Sequence, residues 1–275
     1  MSRIVSVSTA LFDGYPMEQA IEEIAASGCR SIEPAYIKGY LDFDEEAFSA
    51  ASGRDLAQRI ASAGLAANAV SAHMDLSNPD SARMLRRRIG FAATLGARFL
   101  ITNSGPRNSR DQIISLLRTV SAECRAAGIK LALENPGHGS GDLIGNAREG
   151  TLLIDELGSP DVGLNYDIGN VFTYSREAKR PEADLCDRTD RIIHCHLKDV
   201  ASIGNDWTFT AIGDGSIDYK AVWAHLPASL PVTIELPLRL ERFGRSEPTR
   251  RSSPVSLEHI RLSLSRSLVF VAGLD

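Results

Sequence analysis

Residues 98–134 read RFLITNSGPRNSRDQIISLLRTVSAECRAAGIKLALE, and the order of patterns in this stretch decides the fold. The run Arg98–Thr102 has the apolar and β-branched chemistry of a short strand, and TNSGP turns the chain. SLLRTVSAECRAAG spaces its apolar residues for one helix face and ends on Gly128, which suits a left-handed cap. Lys130–Glu134 then begins a second strand. A strand, a turn and a helix that lead into the next strand at an interval of roughly 30 residues are the βα unit of a parallel sheet, because a parallel neighbour is reached only through a crossover.

The same cadence fills the chain. Strands are expected at Ile4–Ser8, Ser31–Pro34, Ala66–Ser71, Arg98–Thr102, Lys130–Glu134, Val162–Asp167, Ile192–His196 and Val232–Glu235. Helical patterns such as MEQAIEEIAASG, DEEAFSAASGRDLAQRIASAG and DSARMLRRRIGFAATLG lie between them, closing on Gly28, Gly64 and Gly96. Eight such units occupy residues 1–275 with no linker or low-complexity stretch, so an α/β fold, a single (β/α)₈ TIM barrel domain, is expected. An open doubly wound sheet is the alternative, but the first βα turn lacks GxGxxG. Two segments break the rhythm: DVASIGNDWTFTAIGDGSIDYK before the eighth strand and PLRLERFGRSEPTRRSSP after it. Both read as long functional loops at the mouth of the barrel.

Composition narrows the function classes. A net charge of −5 argues against a broad nucleic-acid or anionic-membrane surface. No run approaches the ~20 apolar residues of a membrane span, and MSRIVSVSTALFDGYP lacks a signal-peptide core. Cys29, Cys124, Cys186 and Cys195 show no CxxC pairing and read as reduced thiols of a cytoplasmic protein. The expected partner is a small molecule; assembly into a homo-oligomer is left open.

The last residues of strands five to eight carry the chemistry. LALEN, GLNYD, IIHCH and VTIE end on Glu134, Asp167, His196 and Glu235. Any one of these is unremarkable as a solvated strand end, but charged groups near a barrel core are costly unless paired, and a divalent cation supplies that pairing. Barrel active sites also lie on this face. Three carboxylates and one imidazole favour a single divalent metal, Mn²⁺ first, with Mg²⁺, Co²⁺ or Zn²⁺ as alternatives. Its expected use is Lewis-acid binding of a hydroxycarbonyl unit, with Glu134 and Glu235 as acid and base.

LALENPGHG, GLNYDIGN, HCHLKD and VTIEL resemble, as an ordered set, the signatures of the xylose isomerase-like barrel superfamily. That group includes sugar epimerases, hydroxypyruvate isomerases, inosose dehydratases and endonuclease IV. The resemblance is carried by the second half of the chain; the first half matches in cadence. It implies metal ligation by Glu134, Asp167, His196 and Glu235, and proton exchange by the two glutamates. Asn103 and Asn170 stand where endonuclease IV has zinc-binding histidines, which argues against DNA repair. Asn170 also departs from the epimerase pattern, in which a His commonly follows the strand-six Asp.

Further residues are candidates for substrate binding: His73, Asn103, Asn170, Lys198 and Arg239. Lys198 is read either as an anion contact or as a partner of a neighbouring acid. His194, two residues before His196, falls on the same side of its strand and reads as support below the metal. Glu33 reads as a hydrogen-bond partner of pocket groups, Asn135 as shaping the pocket and His138 as solvent-exposed. Phe12, Tyr15, Tyr36 and Tyr40 read as packing residues, with sugar contact as the alternative. Arg239, Arg242, Arg245, Arg250 and Arg251 form a basic loop that is either solvated or an anion clamp. The functional expectation is a metal-dependent isomerase or epimerase that acts through an enediolate on a sugar or keto-acid substrate. A lyase of the inosose or dehydroshikimate dehydratase kind shares the opening step, and a non-catalytic binding barrel is the reading from another class.

Overall fold

The computed structural model describes residues 3–39, 41–185 and 189–274; Tyr40 and Cys186 lie outside the described residues. The remaining cysteines, Cys29, Cys124 and Cys195, are free thiols.

The strands in chain order are β1 (Val5–Ser8), β2 (Ser31–Glu33), β3 (Ala35–Tyr36), β4 (Ala66–Ala67), β5 (Ala69–Ala72), β6 (Phe99–Asn103), β7 (Lys130–Glu134), β8 (Val162–Asp167) and β9 (Ile192–Leu197). They continue with β10 (Asp199–Ile203), β11 (Asp206–Thr210), β12 (Val232–Ile234), β13 (Leu240–Arg242) and β14 (Thr249–Arg250). Pro34, which has no N–H to donate, divides β2 from β3, and β4 and β5 are likewise two pieces of one stave. β2 pairs with β4 and β3 with β5, both in parallel, while β1 pairs with β2 and with β12. With β5 through β9 and β12 paired in sequence, each stave has a neighbour on both sides and the parallel sheet closes. Closure removes the exposed edges that an open sheet would leave.

Helices α1 (Met17–Ala26), α2 (Ala50–Ser62), α3 (Ser81–Thr94), α4 (Arg110–Ala127) and α5 (Ala147–Leu157) cover the outside of the first five staves. The expected helix over the DEEAF segment divides: a 3-10 turn at Glu45–Phe48 precedes α2, whose start is capped by Ser49 Oγ accepting from Ser52 N at 3.2 Å. Gly28, Gly64, Gly96 and Gly128 are all left-handed, with φ between 70 and 83°. α6 (Ile168–Tyr174), α7 (Pro181–Asp184), α8 (Tyr219–His225) and α9 (Leu257–Ala272) complete the outer layer. No helix among the described residues is long and apolar enough to cross a membrane.

The two irregular segments are not loose loops. They fold against each other as a four-stranded antiparallel sheet in the order β10-β11-β13-β14. Trp207 faces Arg242 in its register, and the guanidinium lies 4.9 Å from the indole centroid. The pairing joins residues on either side of the eighth barrel strand, so neither segment shows it alone.

Strand alternation sorts the barrel interior. Ala69, Phe99, Ile101 and Ala132 form a small apolar cluster inside, separate from the large core between strands and helices. Two residues further along the same staves, the inward positions become polar: Ser71, Asn103 and Glu134.

Candidate metal centre

Register brings the four strand-end ligand types level. Asp167 is the direct neighbour of His196 across β8 and β9, and the same ladder carries a shift at Leu164/Asn165. His196 in turn faces Thr233 on β12, which places Glu235 immediately past the strand end. One ligand atom from each of Glu134, Asp167, His196 and Glu235 lies within 4.8 Å of the others, and all four residues are buried. His196 Nδ1 is 2.8 Å from Glu134 Oε2, 3.4 Å from Glu235 Oε2 and 3.9 Å from Asp167 Oδ2. His196 Nδ1, although buried, makes no hydrogen bond, and Glu235 Oε2, which makes none either, is ion-paired to Lys198 at 2.7 Å. A buried imidazole nitrogen aimed at three carboxylates without a hydrogen bond is what a shared cation would satisfy. This oxygen-rich donor set fits a hard or borderline divalent ion.

Behind the ligands lies a shell of hydrogen bonds. Glu33, fully buried, accepts from Ser71 Oγ at 2.8 Å and from His196 Nε2 at 3.2 Å. Asn165 donates to Glu134 Oε2, and its own Oδ1 lies 2.8 Å from His194 Nδ1. His194 Nε2 meets Thr233 Oγ1 at 3.2 Å. With both ring nitrogens engaged, His194 is a support below the centre. It also belongs to a second group, Glu33–His194–His196, close enough to hold an ion, but its nitrogens and His196 Nε2 are already bonded.

Charge follows geometry. Burial would disfavour the His196 cation, but Glu33, Glu134 and Glu235 outweigh it and raise its pKa well above the ordinary value. Burial would likewise raise Glu33, which His196 instead holds below the usual carboxylate value. Glu235 is driven well below that range because Lys198 and His196 overcome its burial. Burial pushes Asp167 up to about 7 against the pull of Lys198. His194, buried first of all, falls to about 3 and is neutral.

The centre forms the floor of a cavity of about 340 Å³ lined by Glu134 and Glu235 together with His73, Asn103, Asn170 and Lys198. His73 Nε2 lies 3.7 Å from Glu134 Oε2 and, though buried, has no hydrogen-bond partner. Asn170 donates to Asn135 O at 2.9 Å and to Glu134 Oε1 at 3.3 Å. Asn135 is committed to the backbone of Asp167 in both directions, so it shapes the wall and presents no side-chain group to the cavity. His138 lines the mouth, half exposed and 2.9 Å from Glu247.

Arg239 is the sequence candidate that the structure does not bring here. Its guanidinium reaches Asp13 Oδ1 at 3.2 Å and the carbonyls of Arg251 and Ser252. The other arginines of that segment are also internal ties: Arg242 donates to Gly137 O, Arg245 pairs with Glu177, Arg250 with Asp13 and Arg251 with Glu241. The basic run therefore holds the antiparallel sheet and the cavity wall in place. Phe12 is buried, Tyr36 packs at 4.9 Å from Phe48, and Tyr15 Oη donates to Val255 O, so these aromatics are packing residues. Sequence reading passed over Asn165, although its place two residues before Asp167 puts it on the same inward face, and over the cavity residues Ile37, Lys38, Met74 and Asp75.

A family model described as xylose isomerase-like TIM barrel matches residues 21–260. No curated protein is matched by sequence. Among solved structures, D-psicose 3-epimerase with D-tagatose from Clostridium cellulolyticum H10 is 13% identical, with a TM-score of 0.75, covering 100% of this chain and 99% of that one. L-ribulose 3-epimerase is 18% identical at a TM-score of 0.72, covering 100% and 94%. The IolI protein with a bound zinc atom is 16% identical at 0.71, covering 100% and 98%. At these identities the likeness is one of fold.

Proposed function

The chain belongs to the xylose isomerase-like TIM barrel family, and from that premise we propose that it is a carbohydrate isomerase or epimerase moving a proton beside a carbonyl. The observation that carries this reading is the convergence of Glu134, Asp167, His196 and Glu235 on the floor of a cavity that both glutamates line. Those four residues would hold one divalent cation, which would polarise the carbonyl of a bound hydroxycarbonyl compound. Mn²⁺ suits the oxygen donors best, and the zinc in a protein of the same fold keeps Zn²⁺ among the alternatives. Sugar epimerases among the similar structures support the substrate class.

The chain's own groups divide the work. Glu134 and Glu235 stand on the fifth and eighth staves, so a substrate carbon between them meets a carboxylate from either side. One glutamate removes the proton next to the carbonyl and the other, or the same one, returns it. Asn165 and Asn170 donate to the two oxygens of Glu134 and fix the plane of its carboxylate. His73, whose Nε2 has no hydrogen-bond partner, would bind a substrate hydroxyl, as would Asn103, which lines the same cavity. Asn170 and Lys198 line the same cavity.

The test is a panel of ketoses, aldoses, inososes and keto-acids incubated with Mn²⁺-loaded protein in D₂O and followed by NMR. Deuterium entering next to the carbonyl, with a rearranged product, is the expected result; loss of water would assign a dehydratase. Protein that binds the metal but exchanges hydrogen in none of them sinks the reading.

A further inference from the structure

The cavity floor already contains a cation. Lys198 Nζ lies 2.7 Å from Asp167 Oδ2 and 2.7 Å from Glu235 Oε2, and it donates to Asn170 Oδ1 at 3.1 Å. The surroundings are shaped for it. A Cβ on Gly169 would come within 2.8 Å of the Lys198 stem and 2.7 Å of its carbonyl oxygen, so only glycine lets the lysine pass so close. Tyr219 Oη donates to that same carbonyl at 2.9 Å. Two of the four candidate metal ligands are thus ion-paired to a buried ammonium.

We propose that Lys198 is a resident counter-cation of the metal centre, one that weakens its hold on cations and does so more for higher ionic charge. The inference rests on the metal-centre reading above. Glu134, Asp167 and Glu235 present three carboxylates to one point. A lysine supplies one positive charge to that set and a divalent ion two, which leaves little attraction for further charge. Coulomb interaction between groups this close is strong where water is scarce, and it scales with the charge of the ion. Removing the ammonium should therefore tighten cation binding. A lysine that only props the carboxylates in place predicts the opposite sign, since they would splay apart without it.

The experiment is a calorimetric titration of EDTA-stripped, full-length protein with Mn²⁺ and separately with Tb³⁺. Wild type is expected to bind one Mn²⁺. Lys198→Met should bind it at least about ten-fold more tightly, and the gain for Tb³⁺ should exceed the gain for Mn²⁺. Lys198→Gln, which stays neutral but keeps a donor for the carboxylates, carries the same comparison if the methionine variant does not fold without metal. Unchanged or weaker affinity in the folded variant overturns the inference while leaving the metal centre standing. Failure of wild type to bind either ion overturns both.

Discussion

Glu33 holds His196 from behind: its Oε2 lies 3.2 Å from His196 Nε2, which leaves Nδ1 to face Glu134, Asp167 and Glu235. A carboxylate that orients a ligating imidazole through its second nitrogen is a recurring feature of metal sites. Glu33→Gln is expected to weaken Mn²⁺ binding by about ten- to a hundred-fold with the fold intact. Titration of metal-stripped protein measures it, and wild-type affinity in the variant would deny Glu33 this part.

The two histidines of the IIHCH run should separate cleanly. His196→Ala removes a candidate ligand and should abolish stoichiometric metal retention. His194→Ala strands Asn165 Oδ1 and Thr233 Oγ1 and opens a space in the barrel, so it should cost about 2–4 kcal/mol of stability. Thermal melts and metal content after dialysis report both, and greater metal loss in His194→Ala would mean that the ligand has been assigned to the wrong residue.

Metal binding should depend on pH in a defined direction. Burial opposes the His196 cation, but its carboxylate neighbours raise its pKa well above the ordinary value, and burial brings Asp167 to about 7. A ligating imidazole must first lose the Nδ1 proton, so binding should release protons and tighten as pH rises. Between about pH 6 and about pH 8 the Mn²⁺ affinity should increase at least about ten-fold. The metal-free fold carries the reverse trend from this group: stabilisation by charged His196 is complete below its unfolded value of about 6.5 and is lost as pH climbs through the raised folded value. Calorimetry in buffers of different ionisation enthalpy counts the protons; a count of zero contradicts the assignment.

Glu134→Gln and Glu235→Gln keep the side-chain size and one ligand oxygen but remove a base. Each is expected to lower kcat by about 100-fold or more on the identified substrate. At least one should also stop deuterium entering next to the carbonyl. Full exchange in both variants would leave the glutamates as ligands alone.

Arg239→Ala should act on stability and leave substrate preference unchanged. Its loss leaves the buried carboxylate of Asp13 with one arginine fewer and frees two carbonyls, at a cost of about 3 kcal/mol. Comparing neutral and anionic versions of the substrate checks the second half of this expectation, and a lost anion preference would return Arg239 to the binding site.

The barrel and its four candidate ligands were legible because both depend on local pattern. Alternation of period two and the βα cadence place β7 at Lys130–Glu134 and β8 at Val162–Asp167, the bounds read from the sequence. A ligand-type residue at the end of four successive apolar runs needs no tertiary information to be noticed. The lysine was visible too, but whether it faced an anion from solution or a neighbouring acid was not, since both fit an exposed-looking HLKD.

What the sequence by itself determined, then, was the order of staves and which side chains point inward at the ends of the last four. Tertiary structure alone decided the partnerships: Glu33 with His196 across 163 positions, Arg239 with Asp13 across 226, and β11 with β13 across the eighth stave. The physical reason is closure. Once eight staves curl into a ring, residues from the first and last become neighbours at a distance set by register and strand twist. No local periodicity carries that information.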